Sequence, residues 1–456
     1  MGIIRTIGTG VAWNTVGAVI GKIVGFANIF LILSHLSVYE YGLTELTMSV
    51  VSTVGLFLLP GLTSIVTVDL GVEYARKNYG RMKALFLEFF TLNMGFGIIG
   101  WSILFFGSSF VAHVTGNDLI DRFFKIVSFL FLTSPLRLTS TMMATVFVRY
   151  ADQSFFSVVE EVVKGLWLLI FFFIFDRGAD GLLLAAVLAQ VVVILCFAPR
   201  TLSAIAVFWH VQADGIEPIW KILRAHRKWG VTSSYFGTLT GNMRLWIIKA
   251  ILGTEAVGLF AFATGIFGHI ASLISLQPAI APIIPHYAHD ASRLGRLMSV
   301  AVKYQILISS GALLGALALM SVFVAMFFPH YIPATHLVLI TLLGLIPNGL
   351  AHIATPVFVA LKEQRTQFYS ALIKLTSMLI VLPLAILSFG LVGAGVEFVI
   401  TAVVTACERS YRLKRLIPSF ILSVKSMQTT GDEERQLIRA IINKAQAHGI
   451  YPFSIR

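Results

Sequence analysis

Charge is scarce in this chain. Only 12% of its 456 residues are Asp, Glu, Lys or Arg, against roughly 25% in a soluble domain, which excludes a water-facing surface. Acidic residues are the rarer sign, 22 against 34 basic, for a net charge of +12. Cysteine is nearly absent too. Cys196 and Cys407 stand apart, in or beside apolar segments, so neither a disulfide framework nor a cysteine metal cluster fits, and both read as buried small hydrophobes. There is no paired-aspartate motif and no external loop long enough to form a domain. Nothing therefore points to a cofactor, a metal or an enzyme.

Apolar side chains take the place of charge: 57% of residues are hydrophobic and the mean hydropathy is +0.86. This is the composition of an integral membrane protein. The positive balance then belongs to cytoplasmic loops, not to a nucleic-acid surface. At about 20 residues per span, about twelve helices fit. They lie near 10–34, 43–67, 84–107, 123–148, 156–175, 181–199, 229–251, 257–284, 297–328, 335–360, 369–388 and 390–411. Alternate loops carry the cations: Arg76, Lys77, Arg81 and Lys83, then Arg149, then Arg200, Lys221, Arg224, Arg227 and Lys228, then Arg293 and Arg296, then Lys362 and Arg365. The intervening loops are short and neutral or acidic, with Arg122, Lys125 and Arg177 as exceptions. Both termini are thereby expected in the cytoplasm.

The chain also contains itself twice. Trp13, Gly25, Leu36, Gly42 and Leu43 recur about 216 residues later as Trp229, Gly241, Leu252, Gly258 and Leu259. Each copy has a proline in its second apolar segment, Pro60 and Pro278, which are the candidate hinges. The expected organisation is an all-α polytopic protein of two six-helix bundles, 1–199 and 229–411, related by a parallel repeat. An amphipathic cytoplasmic linker over 200–228 joins them, and a polar cytoplasmic tail follows over 412–456, with one amphipathic helix over 432–447.

With so little outside the membrane, function should rest on polar groups within it, each costly at the centre of a span. Lys22 lies mid-span beside a Gly17, Gly21, Gly25 stripe that permits close helix approach; it lines a cavity or meets a carbonyl or carboxylate. Arg137 is central in the fourth helix and follows Pro135, and Arg244 lies in the outer third of the seventh. Lys164 and Lys374 complete the candidate substrate-binding cations. Glu160 and Glu161 lie four and three residues before Lys164, so both acids can face it as an internal ion pair or as a rearrangeable site. With Glu397 and His269 they are the ion-coupling candidates. Asn14, Asn28, Asn242 and Asn348 read as helix-packing groups. Deep cations outnumber deep acids, so the lumen favours an anion such as a pyrophosphate or an acidic glycan.

The stretch Gly21-Lys22-Ile23-Val24-Gly25-Phe26-Ala27-Asn28, followed by Leu36-Ser37-Val38-Tyr39-Glu40-Tyr41-Gly42-Leu43, resembles the opening of Wzx-type polysaccharide flippases. These belong to the multidrug/oligosaccharidyl-lipid/polysaccharide exporter superfamily, and the resemblance covers roughly residues 1–415. It implies translocation of an undecaprenyl-pyrophosphate-type lipid-linked glycan across the bacterial inner membrane by alternating access, with membrane lipid and a polysaccharide polymerase as partners. Asn28 stands where the peptidoglycan-precursor branch has a second basic residue, which argues against that branch. The alternatives are an ion-coupled multidrug exporter, for which the first two helices lack a deep acid, and a membrane glycosyltransferase or polymerase.

Overall fold

A computed structural model describes residues 2–56, 60–214, 228–281, 283–287, 290–361 and 363–420. Every regular element among them is helical. The first half holds α1 (Gly2–His35), α2 (Val38–Gly55), α3 (Pro60–Ala75), α4 (Tyr79–Thr115), α5 (Asp118–Val146), α6 (Tyr150–Leu169) and α7 (Ala179–Trp209). The second holds α8 (Lys228–Leu252), α9 (Thr254–Ile274), the short α10 (Gln277–Ile280) and α11 (Ile284–Tyr287), α12 (Ala291–Phe327), α13 (Thr335–Leu342), α14 (Leu345–Ala360), α15 (Gln364–Phe389) and α16 (Leu391–Leu416). With α2 and α3, α9 and α10, and α13 and α14 each counted as one interrupted span, these make two bundles of six.

Among the described residues, six helices can cross a membrane by length and composition alone, and the α13–α14 pair with the turn before it, bent by 51°, makes a seventh. Internal charge lies in α1 (Lys22), α5 (Arg137), α6 (Glu160, Glu161 and Lys164) and α8 (Arg244 and Lys249). Large apolar side chains face outward in number, among them Phe106, Phe110, Leu314 and Leu387, all about 70% exposed, as lipid in place of water allows. Cys196 and Cys407 follow that rule. Both are exposed, not buried as the sequence led us to expect, because an apolar side chain beside lipid has no need of a protein core.

Other expectations shift at the edges. α7 continues to Trp209, into the stretch read as a linker. Residues 215–227 of that stretch, with Trp220, Lys221, Arg224 and Arg227, lie outside the described residues, as do Lys362 and the tail beyond Phe420. Pro60 is the first described residue of α3, and Pro278 lies in the first turn of α10, just after the break that ends α9. Proline suits the first turn of a helix, where its missing N–H is not needed.

The repeat meets itself in space. At the head of α2, Ser37 Oγ accepts the Glu40 amide at 3.2 Å while the Glu40 carboxylate accepts the Ser37 amide at 3.0 Å. This reciprocal cap satisfies two amides the helix cannot pair itself. Two residues on, Gly42 lies against Gly258 of α9: a Cβ on Gly42 would stand 2.7 Å from the Gly258 nitrogen. Only paired glycines let these two backbones cross so closely. Tyr41 sets its ring edge against Tyr331, with centroids 6.3 Å apart. The Leu-Ser-x-x-Glu-Tyr-Gly stretch therefore caps and joins the bundles.

Around this crossing runs one hydrophobic core shared by both halves, containing Leu36, Leu43, Phe123, Leu183, Val257, Phe262, Tyr331 and Leu382. At the opposite end, where α3 finishes and α4 begins, the cores are separate. Val66, Leu70, Met82, Phe89 and Phe208 close the first bundle; Ile284, Leu294, Met298, Val357 and Leu413 close the second. The bundles are fused at one end and independent at the other.

Candidate functional site

Between fused and separate ends, the first helix of each bundle reaches across to the other. α9 stops at Ile274, so the Ser272 carbonyl lies in a final turn with no intrahelical donor. The amide four residues on, Leu276, is instead taken by Gln305 Oε1 at 2.9 Å. Lys22 Nζ of α1 donates to that Ser272 carbonyl at 2.5 Å. The mirrored contact uses a neutral group: Tyr235 of α8 donates its hydroxyl to the carbonyl of Leu56, which caps the interrupted α2, at 2.7 Å. A polar seam extends it, with Asn242 Nδ2 donating to Ser52 and Thr53 and Trp246 Nε1 to Ser49.

Behind Lys22, α1 lies close on α6 through its glycine stripe: a Cβ on Gly17 would reach 2.7 Å from the Ser154 Cβ. Asn28 donates to the Glu161 carboxylate at 2.9 Å and to its backbone carbonyl at 2.8 Å. Arg137 of α5 binds Glu160 at 2.8 Å, with both partly exposed. The expectation that both acids face Lys164 is thus corrected. Adjacent residues on a helix point about 100° apart, and α1 and α5 each supply one acid with its partner. Lys164 forms no ion pair with a described residue and feels Glu45 of α2 electrostatically. His269 of α9 sets its ring against Phe26, with centroids 6.3 Å apart, and lies in the field of Glu161. Lys22, Arg137, Glu160, Glu161, Lys164 and His269 therefore belong to one region, the α1–α6 wall and its junction with α9.

Arg244, Lys374 and Glu397 form a second, separate group inside the C-terminal bundle. Arg244 clasps Glu397 with two hydrogen bonds of 2.8 and 2.9 Å, and Thr401 adds a third to the carboxylate at 2.6 Å. The side chains are 8% and 0% exposed, so the carboxylate is sealed while Arg244 borders the cavity beside it. Lys374 lies at a cavity of about 450 Å³ beside it, with Arg409, His352 and Gln367 also on the walls. Sequence reasoning missed Arg409, which its place near the end of α16 marked as an interfacial cation, and Tyr235, whose role depends on a carbonyl 179 residues away. Among the described residues no group of three or more His, Cys, Asp or Glu side chains could hold a metal ion.

A family model described as polysaccharide biosynthesis protein matches residues 35–331, more than half of the chain. The chain belongs to that family. A comparison with curated protein sequences gives no match. Among solved structures, an inward-facing multidrug resistance MATE family transporter of the MOP superfamily is similar over 88% of this chain and 95% of its own, with a TM-score of 0.69 and 13% identity. The lipid II flippase MurJ in an inward closed conformation matches over 94% of this chain and 95% of its own, with a TM-score of 0.68 and 13% identity. The Vibrio cholerae MATE transporter VcmN in the bent form covers 90% and 99%, with a TM-score of 0.60 and 15% identity. At these identities the likeness establishes the fold: a polytopic membrane protein of two bundles, as in transporters of the MOP superfamily.

Proposed function

We propose that this protein carries an isoprenoid-pyrophosphate-linked oligosaccharide across the bacterial inner membrane for surface polysaccharide assembly, by alternating access. The observation that carries the reading is the Lys22 contact. Among the described residues, a lysine mid-way along the first helix is held by an orphaned carbonyl of the other bundle. A carbonyl bears a partial charge, whereas a pyrophosphate offers full charge and several acceptors, so an arriving substrate displaces it. The junction of α1 with α9 then loosens on loading.

The loop cations support a cytoplasmic side for the separated end and both termini. The fused end at Gly42 and Gly258 is then periplasmic, and the protein rests open to the cytoplasmic leaflet. Val19, Ile23 and Phe26 on α1 and Leu273 on α9 are exposed apolar groups beside Lys22, giving the isoprenoid tail a route that stays in lipid while the sugars enter between the bundles. Arg137 and Lys164 supply further positive charge on that wall, and hinges at Pro60 and Pro278 absorb the change of angle. Family membership supports the polysaccharide assignment, and the shared fold supports transport rather than bond-making chemistry.

In the test, Lys22→Ala inserts normally but abolishes glycan export, and the lipid-linked glycan accumulates on the cytoplasmic face. Normal export by that variant at matched expression contradicts the role.

A further inference from the structure

The cavity in the C-terminal bundle holds more positive charge than its own acids balance. It is walled by α8, α10, α14, α15 and α16. Arg244 and Glu397 cancel one another in their closed clasp. Glu408 is held by Arg412 and accepts from Ser370. That leaves Lys374 and Arg409. Lys374 makes no hydrogen bond or ion pair with any described residue, and its charged neighbours are Arg244, Arg409 and Glu397. Arg409 donates through one terminal nitrogen to the Ala351 carbonyl at 2.6 Å and to Thr355 Oγ1 at 2.7 Å, but its buried Nε–H has no acceptor. The Gln367 amide nitrogen, on the same wall, is also buried without a partner. His352 opens onto the space and lies in the field of both cations.

Buried donors are almost always paired, and water would supply acceptors without supplying the missing negative charge. An arginine, an ammonium and an amide lining one space match a tetrahedral oxyanion. A volume of about 450 Å³ admits a phosphate or pyrophosphate. We propose that this cavity is a binding site for a phosphate-class oxyanion, held between Lys374 and Arg409, within one bundle and apart from the junction at Lys22. An anion there ties α15 to α16 and α14, stiffening the C-terminal bundle. The oxyanion is either free phosphate or the head of an isoprenyl pyrophosphate. Only the second source rests on the flippase reading.

The test is equilibrium binding to the purified full-length protein in lipid nanodiscs, with inorganic phosphate, pyrophosphate and a short soluble isoprenyl pyrophosphate as three probes at constant chloride. We expect saturable binding of at least one, weakened about tenfold or more in Lys374→Ala and in Arg409→Ala, as for a lost charge-assisted contact, and unchanged in Lys125→Ala at the far end. Binding of inorganic phosphate identifies a free anion; binding of the isoprenyl compound alone identifies the lipid head. If the variants do not fold, the wild-type protein still decides: its melting temperature rises with phosphate and not with added chloride. A folded wild-type protein that binds none of the three, or a Lys374→Ala variant that binds as wild type does, overturns the proposal. No transport is measured, so failure here leaves the flippase reading standing.

Discussion

Arg137–Glu160 in the first bundle and Arg244–Glu397 in the second are both arginine–glutamate pairs at 2.8 Å, and the two are not equivalent. Arg244–Glu397 is sealed, doubly hydrogen-bonded and braced by Thr401. Arg137–Glu160 is partly open, 39% and 23% exposed, and both of its hydrogen bonds converge on a single carboxylate oxygen. The inter-bundle contacts repeat the contrast: a charged lysine crosses one way and a neutral tyrosine the other. A duplicated fold has kept its frame and specialised its halves. Charge in the first is partly exposed along the α1–α6 wall, and charge in the second lines a cavity within the bundle.

The contrast breaks most readily at the buried pair. Glu397→Gln strands a desolvated guanidinium, and we expect a loss of about 3–5 kcal/mol, read as a lower melting temperature in detergent and less protein in the membrane. The double variant Arg244→Met with Glu397→Leu removes both charges and should recover most of that loss. If the single variant is as stable as wild type, the pair is not the brace described.

Next in size is the glycine crossing. Gly258→Leu forces a side chain into the α2 backbone, costing on the order of 1–3 kcal/mol in the state fused at this crossing. Spin-label distances between the turns at 36–37 and at 253 should lengthen relative to wild type. Arg137→Gln removes the more open pair and should change stability by less than about 1 kcal/mol, because solvent screens a half-exposed contact, yet slow glycan export severalfold. Equal destabilisation of the two pairs would erase the distinction between the bundles.

Smallest is Tyr235→Phe. It loses one neutral hydrogen bond, worth about 1 kcal/mol, and export should stay within about twofold of wild type, whereas Lys22→Ala abolishes it. A tyrosine variant as inactive as the lysine variant would mean that the crossings serve only to hold the bundles together.

The helical class and the repeat were legible because lipid demands apolar runs and Gly42 and Gly258 stand in register; by length and composition alone six described helices and one bent pair qualify as spans. The motif around Ser37 was legible as a pattern, but its capping role shows only once Glu40 turns back on Ser37. The ion pairs were not legible. Glu397 is 153 residues from Arg244, while the i to i+4 spacing of Glu160 and Lys164 offered a nearer partner that α5 displaced with Arg137. Nor could sequence disclose the acceptor for Lys22: a carbonyl freed at a helix break belongs to the backbone and leaves no mark in the side chains.

The most direct measurement uses the purified protein in sealed liposomes loaded with a lipid-linked oligosaccharide, scoring how much glycan a membrane-impermeant glycosidase can reach over time. The account predicts that wild-type protein renders the protected leaflet's glycan accessible and that Lys22→Ala, equally folded and inserted, does not. Accessibility no greater than in protein-free liposomes, or the same rate with and without Lys22, would contradict it.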